Sequence, residues 1–294
     1  MKPEFKRLSF ANCWNREDFS LQAAPFVSPP KWHLAHTTWF FEEMVLKPFL
    51  KAYKTYDDTY AFLFNSYYNS LGERISRHER GLITRPASAV ILKYRSHVDK
   101  FMERLLESPA SPELETLLIL GINHEQQHQE LLITDLKYSL SHNPTYPKLS
   151  DLNLISDRDA ENTQGDDWIS ISEGVYTIGH QGDGFAFDNE FGVHRTFLES
   201  FEISKALVTN GEYLKFIEAA AYHDPKYWLD DGWSWINNNT MTKPLYWKKI
   251  NGDWFQYTIS GLMPLDEKAI LSHVSFYEAQ AFAFWSRTPT TYRI

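Results

Sequence analysis

The chain has 294 residues, 43% apolar and 23% charged, a soluble globular composition long enough for two domains. Its net charge of −9 argues against a phosphate backbone as partner, so no nucleic acid is expected. The single cysteine, Cys13, excludes an internal disulfide framework and any zinc site built on paired cysteines. The N-terminus, MKPEFKRLSFANCW, lacks the apolar stretch and small-residue cleavage site of a signal peptide. No run of about 18 apolar residues is present, so no membrane span is expected and the cytoplasm is the default location. A monomer is expected. Ten Trp, 16 Tyr and 20 Phe make the chain rich in aromatic residues, which suits a loop-rich core or an aromatic-lined pocket.

Pro29 and Pro30 suit the entrance to a helix. From Lys31 the apolar residues Trp32, Ala35, Trp39, Phe40, Met44 and Val45 recur at helical spacing, with His33 and His36 inside the pattern and Pro48 marking an end or kink. Residues 52–72 read as a helix or loop-helix ending at Asn69–Gly72. Arg74, Arg77 and Arg80 follow at a spacing of three, either as a solvated face or as a clamp for a substrate carboxylate. Residues 88–107 predict a third helix and 112–141 a fourth, separated by Ser108–Pro112. Four helices with short connections predict an up-and-down bundle over residues 1–150, and bundle cores commonly hold metal sites. The polar stretch 142–167 reads as the boundary. From Trp168 the pattern changes to short strands: 168–171, 175–179 across Glu173-Gly174, 195–203, Leu245–Trp247 and Trp254–Ile259. Helices are predicted after Thr209, to about Ala221, and over Phe276–Trp285. The second domain, residues 165–294, is therefore α+β.

The fourth predicted helix carries His124-Glu125-Gln126-Gln127-His128. Positions four apart lie one turn apart on one helix face, so His124 and His128 can hold one metal ion. The pattern H-E-x-x-H usually reads as a zinc hydrolase with the glutamate as base. A third ligand is needed. His142 follows closely; His180, His194, His223 and His273 lie beyond the boundary, and His78 and His97 sit among charged residues. The best candidates are upstream, His36 flanked by apolar Ala35, Trp39 and Phe40, or His33 one turn earlier, as ligand or as support for one. Three imidazoles bring no charge and suit iron, zinc, copper or nickel.

Several segments carry a family resemblance. Ser28–Glu42 (SPPKWHLAHTTWFFE), Tyr67–Arg74 (YYNSLGER) and His124–Leu131 (HEQQHQEL) resemble the ergothioneine-biosynthesis sulfoxide synthases. Gly174–Gly179 (GVYTIG), Phe187–Glu190 (FDNE), Val208–Tyr213 (VTNGEY) and His273–Ala279 (HVSFYEA) resemble that family's formylglycine-generating-enzyme-like domain. The resemblance implies a multidomain α and α+β fold, with a DinB-like four-helix bundle followed by a C-type-lectin-like domain. It implies iron(II) held by His36, His124 and His128. It also implies O2-dependent joining of a thiol, cysteine or γ-glutamylcysteine, to the imidazole of hercynine (Nα-trimethylhistidine), giving a sulfoxide. Gln127 matches a position on the hercynine side, and Arg77 and Arg80 are the candidate partners of the thiol substrate's carboxylate.

After Trp285 the family pattern continues with a glycine, basic residues and a Leu-Pro-Thr-Glu signature, whereas this chain reads Ser286–Ile294 (SRTPTTYRI) and stops. The expectation is a truncated or frameshifted C-terminus, an incomplete second domain and loss of the family's catalytic tyrosine. Rival readings are an ovothiol-type 5-histidylcysteine sulfoxide synthase, a zinc hydrolase with Glu125 as base, and a non-catalytic remnant that binds metal or ligand.

Overall fold

The computed structural model describes residues 15–66, 75–149 and 168–286. Cys13, the Tyr67–Arg74 motif, most of the expected linker and residues 287–294 lie outside the described residues. The chain divides into two compact units, Met1–Leu152 and Asn153–Ile294.

The first unit is helical. Helix α1, Pro30–Phe40, starts with proline at its first position, where a missing N–H costs nothing. It continues without a break through a π-helical stretch, Phe41–Leu46, and ends as Lys47–Phe49. Burial on all sides continues from α1 into this stretch, where Phe41, Glu42, Val45 and Leu46 are buried. Helix α2, Ser88–Leu105, buries Ile91, Tyr94, Val98 and Met102 at helical spacing. Helix α3, Pro112–Ser141, is capped by Ser111, whose hydroxyl accepts the Leu114 N–H, and has Pro112 at its first turn. Its buried stripe runs Leu114, Gly121, Glu125, Leu132 and Leu136. Helix α1 packs against both α2 and α3. The helix expected over residues 52–72 is, among the described residues, one turn at Tyr60–Leu63. The segment from Leu50 to Thr59 instead packs Tyr53 and Tyr56 against α2, where hydrogen bonds to Glu42 hold it.

The second unit is α+β. Strand β1 (Trp168–Ile171) pairs with β4 (Phe201–Ser204), and β2 (Gly174–Ile178) with β3 (His194–Leu198), all antiparallel. The two pairings share one continuous register, so β1–β2 and β3–β4 form the two arms of a single twisted ribbon. Glu173-Gly174 therefore marks a break within one arm and not a turn between paired strands. Strands β5 (Trp247–Ile250), β6 (Asp253–Thr258) and β7 (Gly261–Pro264) form a meander. Helix α4, Asn210–Glu218, and helix α6, Phe276–Trp285, both begin with a capping box, Thr209 with Glu212 and Ser275 with Glu278. Between them lies α5, Asp230–Asn238. Tyr213, Phe216, Tyr222, Trp228, Ile236 and Ala281 form this unit's core. Inside it the buried Glu278 accepts the Tyr222 hydroxyl at 2.5 Å.

At Gly121, α3 lies close against the rings of Phe40 and Phe41. A Cβ there would lie 2.7 Å from Phe41 Cε1 and 2.9 Å from Phe40 Cε1. Gly121→Ala is expected to lower unfolding stability by about 1–3 kcal/mol, because two large buried rings must shift. Urea denaturation followed by helical circular dichroism measures it, and an unchanged midpoint would contradict the close approach.

Candidate metal centre

Helices α1 and α3 run antiparallel. Phe40 meets His124, His36 meets both His124 and His128, and His33 meets His128. Further along, Asp135 accepts a hydrogen bond from the Ser28 backbone, just ahead of α1. Helical spacing puts His124 and His128 on the α3 face turned to α1, and His33 and His36 on the α1 face turned to α3. One ligand atom from each of His36, His124 and His128 lies within 4.8 Å of the others. Ring centroids are 4.6 to 5.0 Å apart.

For His36 and His128, hydrogen bonds occupy Nδ1. His36 Nδ1 donates to the Phe64 carbonyl at 2.6 Å, which leaves its Nε2 as the lone pair. His128 Nδ1 lies 2.9 Å from His33 Nδ1, and His33 Nε2 lies 3.1 Å from Asp135 Oδ2. His124 Nδ1 is buried with no hydrogen-bond partner. Burial, reinforced by the neighbouring His124 imidazole, brings His36 down to about 3. Burial lowers His124 to about 4, against the opposing pull of Glu125. His128 is pushed down too, by burial and then by His36 and His124. Burial also lowers His33, with Asp135 opposing it. At neutral pH the three rings are therefore uncharged, the form that ligates metal.

The walls are aromatic. The His36 ring is stacked between Trp32, centroid at 4.5 Å, and Trp39, at 5.5 Å. The Arg80 guanidinium lies 3.3 Å over the Trp32 ring and donates to the hydroxyls of Ser28 and Ser66. Arg80 is thus buried and tied to two serines and an indole, while Arg77, on the same 3-10 turn Arg77–Leu82, is exposed and reaches the Phe26 carbonyl. The pair does not form one exposed clamp: residues three apart share a face of a 3-10 turn, but Arg80 is drawn into the interior by Trp32, Ser28 and Ser66 while Arg77, at the start of the turn, stays at the surface. Gln127 is exposed on α3, beside His128 and three residues after His124. His97, read from sequence as solvated, is half-buried among Tyr53, Tyr56 and Phe101. Its Nε2 meets the Lys54 carbonyl.

Glu125 points elsewhere. Its Oε1 accepts from Arg95 on α2 at 2.6 Å, and the same guanidinium reaches Thr37 Oγ1. One residue along a helix turns the side chain by about 100°, so Glu125 faces α2 while His124 and His128 face α1. A glutamate held in an ion pair between helices is poorly placed to act as a base at this centre.

Three neutral imidazoles, one with an orphaned buried nitrogen, fit a divalent transition metal. Sequence reasoning missed the Asp135 contact. Asp135 stands seven residues after His128, two turns along the same α3 face, and that spacing was the available signal.

Glu125→Gln is expected to leave transition-metal binding in place while lowering stability by about 1–3 kcal/mol, since a charge-assisted hydrogen bond to Arg95 is weakened. Cobalt(II) titration and thermal melting measure the two effects. Loss of metal binding with stability intact would place Glu125 in the site after all.

The sulfatase-modifying factor enzyme 1-like domain family matches residues 155–294. The hercynine oxygenase of Mycolicibacterium smegmatis is 28% identical over 175 residues, 58% of this chain and 39% of that protein. The hercynine oxygenase of Mycobacterium tuberculosis is 32% identical over 107 residues, 36% of this chain and 25% of that protein. Ergothioneine biosynthesis protein 1 of Schizosaccharomyces pombe is 31% identical over 86 residues, 28% of this chain and 9% of that protein. The matched stretches thus span less than two fifths of each relative's length. The 175-residue match is longer than either unit and so reaches into both. These matches make the chain similar to hercynine oxygenases over part of its length, and residues 155–294 match the sulfatase-modifying factor enzyme 1-like domain family.

Proposed function

We propose that this chain carries the metal centre of an iron(II)- and O2-dependent sulfoxide synthase of ergothioneine biosynthesis. The observation that carries the reading is the three-imidazole cluster between α1 and α3, in a chain whose relatives are named hercynine oxygenases. The reaction joins the thiol of cysteine or γ-glutamylcysteine to C2 of the hercynine imidazole. The S–H and C–H bonds break, the C–S and S=O bonds form, and O2 is reduced by four electrons, giving one sulfoxide and one water.

His36, His124 and His128 would hold the iron. When bound, iron(II) offers positions for the substrate imidazole, the thiolate and O2, and it supplies the redox chemistry that joins them. Neutral protein ligands leave the metal's charge to be offset by the thiolate, which favours an anionic substrate over water. Trp32 and Trp39 keep the His36 side of the site dry, which strengthens every electrostatic interaction there. Gln127, exposed beside the cluster, supplies an amide for the hercynine side. Arg77 and Arg80 place positive charge near His33, where it can attract a substrate carboxylate. The Glu125–Arg95 ion pair weighs against the zinc-hydrolase reading.

Anaerobic iron(II) titration is expected to give one site, which His36→Ala removes while the helical signal persists. Admitting O2 with hercynine and a thiol is expected to give O2 uptake and a sulfoxide whose mass identifies the thiol used. Unaltered iron affinity in His36→Ala would remove His36 from the centre. Product from histidine but not from hercynine would redirect the reading to a 5-histidylcysteine sulfoxide synthase. Bound iron with no O2 uptake on either thiol would withdraw the activity and leave the metal site.

A further inference from the structure

We infer that Asp135 and His33 form a relay that sets the tautomer of His128 and so aims its Nε2 lone pair into the metal centre. The inference rests on reading the three imidazoles as a metal site, and it assigns roles to two residues that are not themselves ligands.

The argument is one of proton counting. Asp135 Oδ2 already accepts the Ser28 backbone N–H at 2.8 Å and lies 3.1 Å from His33 Nε2. An ionised carboxylate only accepts, so His33 Nε2 carries the proton. A neutral imidazole has one N–H, which makes His33 Nδ1 an acceptor. His33 Nδ1 lies 2.9 Å from His128 Nδ1. Two lone pairs or two protons at that distance would repel, so His128 Nδ1 must donate. His128 Nε2 is then the lone pair, on the side of His36 and His124. The opposite order, with His33 Nδ1 protonated, would put a proton on His128 Nε2 and close that ligand position. Asp135 thus acts at His128 through an intervening ring.

The three ligands are supported unequally. His36 is fixed by a main-chain carbonyl, which no side-chain substitution alters. His124 Nδ1 has no partner. His128 depends on two side chains, so it is the ligand whose protonation pattern the sequence can tune. Outer partners of this kind orient a ligand and raise its basicity, and losing one typically costs about 10–100-fold in metal affinity. The competing explanation is that Asp135 merely pins the entrance of α1, through Ser28, to α3. That role would affect stability but not the position of a proton on His128.

Histidine side-chain 15N NMR of the metal-free protein separates the two. In wild type, His128 is expected as the Nδ1–H tautomer and His33 as Nε2–H. In His33→Phe and Asp135→Ala, His128 is expected to lose that single tautomer, and cobalt(II) affinity to fall about 10–100-fold. His33→Gln is expected to recover most of the affinity, since its amide can donate to Asp135 and accept from His128. If His33→Phe loses its helical signal, Asp135→Ala and His33→Gln carry the comparison. A wild-type His128 protonated on Nε2, or a tautomer and affinity unchanged in the variants, would overturn the relay. A wild type with these tautomers that binds neither iron(II) nor cobalt(II) would overturn the metal reading and leave the relay standing.

Discussion

The first unit depends on a helix that water scarcely reaches. Of the eleven residues of α1, ten are buried, including Lys31, His33, His36, Thr37 and Thr38. Burying polar groups is costly unless each finds a partner. Here they do. Lys31 Nζ donates to the Ile83 carbonyl, Thr38 to Leu34, and His36 to Phe64. The carboxylate of Glu42, fully buried in the π-helical continuation, accepts from the hydroxyls of Tyr53 and Tyr94 and the backbone of Tyr56. Burial and the adjacent Glu42 charge push both tyrosines well above the usual phenol range, so they stay protonated as donors. A helix fixed on all sides in this way holds imidazoles in one orientation, and a metal centre needs that rigidity.

How much of this was legible in sequence depended on range. The i, i+4 pair His124 and His128 is a local signal, and so is the apolar flank of His36; both follow from helical periodicity alone. The caps at Thr209 and Ser275 and the bounds of Phe276–Trp285 were equally local. What escaped was tertiary. Nothing near His33 in sequence announces Asp135, because the contact exists only once α1 lies antiparallel to α3. The π-helical stretch escaped because Phe40, Phe41 and Glu42 in succession break the 3.6-residue pattern. No element was assigned to Asp230–Asn238, although two carboxylates at its start suit a helix N-terminus. Strand β7 is four residues bracketed by glycine and proline, too short for an alternation to register. Pairing within the β1–β4 ribbon was not readable either, since strand partners are chosen by register and not by nearness along the chain.

The motif H-E-x-x-H is compatible with two chemistries, and packing bears on the choice through the glutamate. A glutamate one residue beyond a ligand histidine faces about 100° away on the helix. In a hydrolase that direction must still open on the substrate. In this chain it opens on α2, where Arg95 holds Glu125, and the motif's glutamate becomes a tie between helices. The histidine that completes the cluster comes from α1, upstream in sequence.

The charge balance of the enclosed site follows. Glu125 is neutralised by Arg95, and Asp135 is occupied by Ser28 and His33. Arg80 stands beside Trp32 and adds positive potential, which already disfavours protons on His36, His33 and His128. A divalent ion on three neutral imidazoles would add two more positive charges in aromatic, poorly hydrated surroundings. Such a site is under-neutralised by its own protein, and the most favourable way to balance it is an anionic ligand from outside. A thiolate or a carboxylate meets that need, whereas a neutral peptide or ester does not. With a divalent ion bound, the need for an anionic partner would thus be set by which carboxylates the packing of α1, α2 and α3 has already engaged.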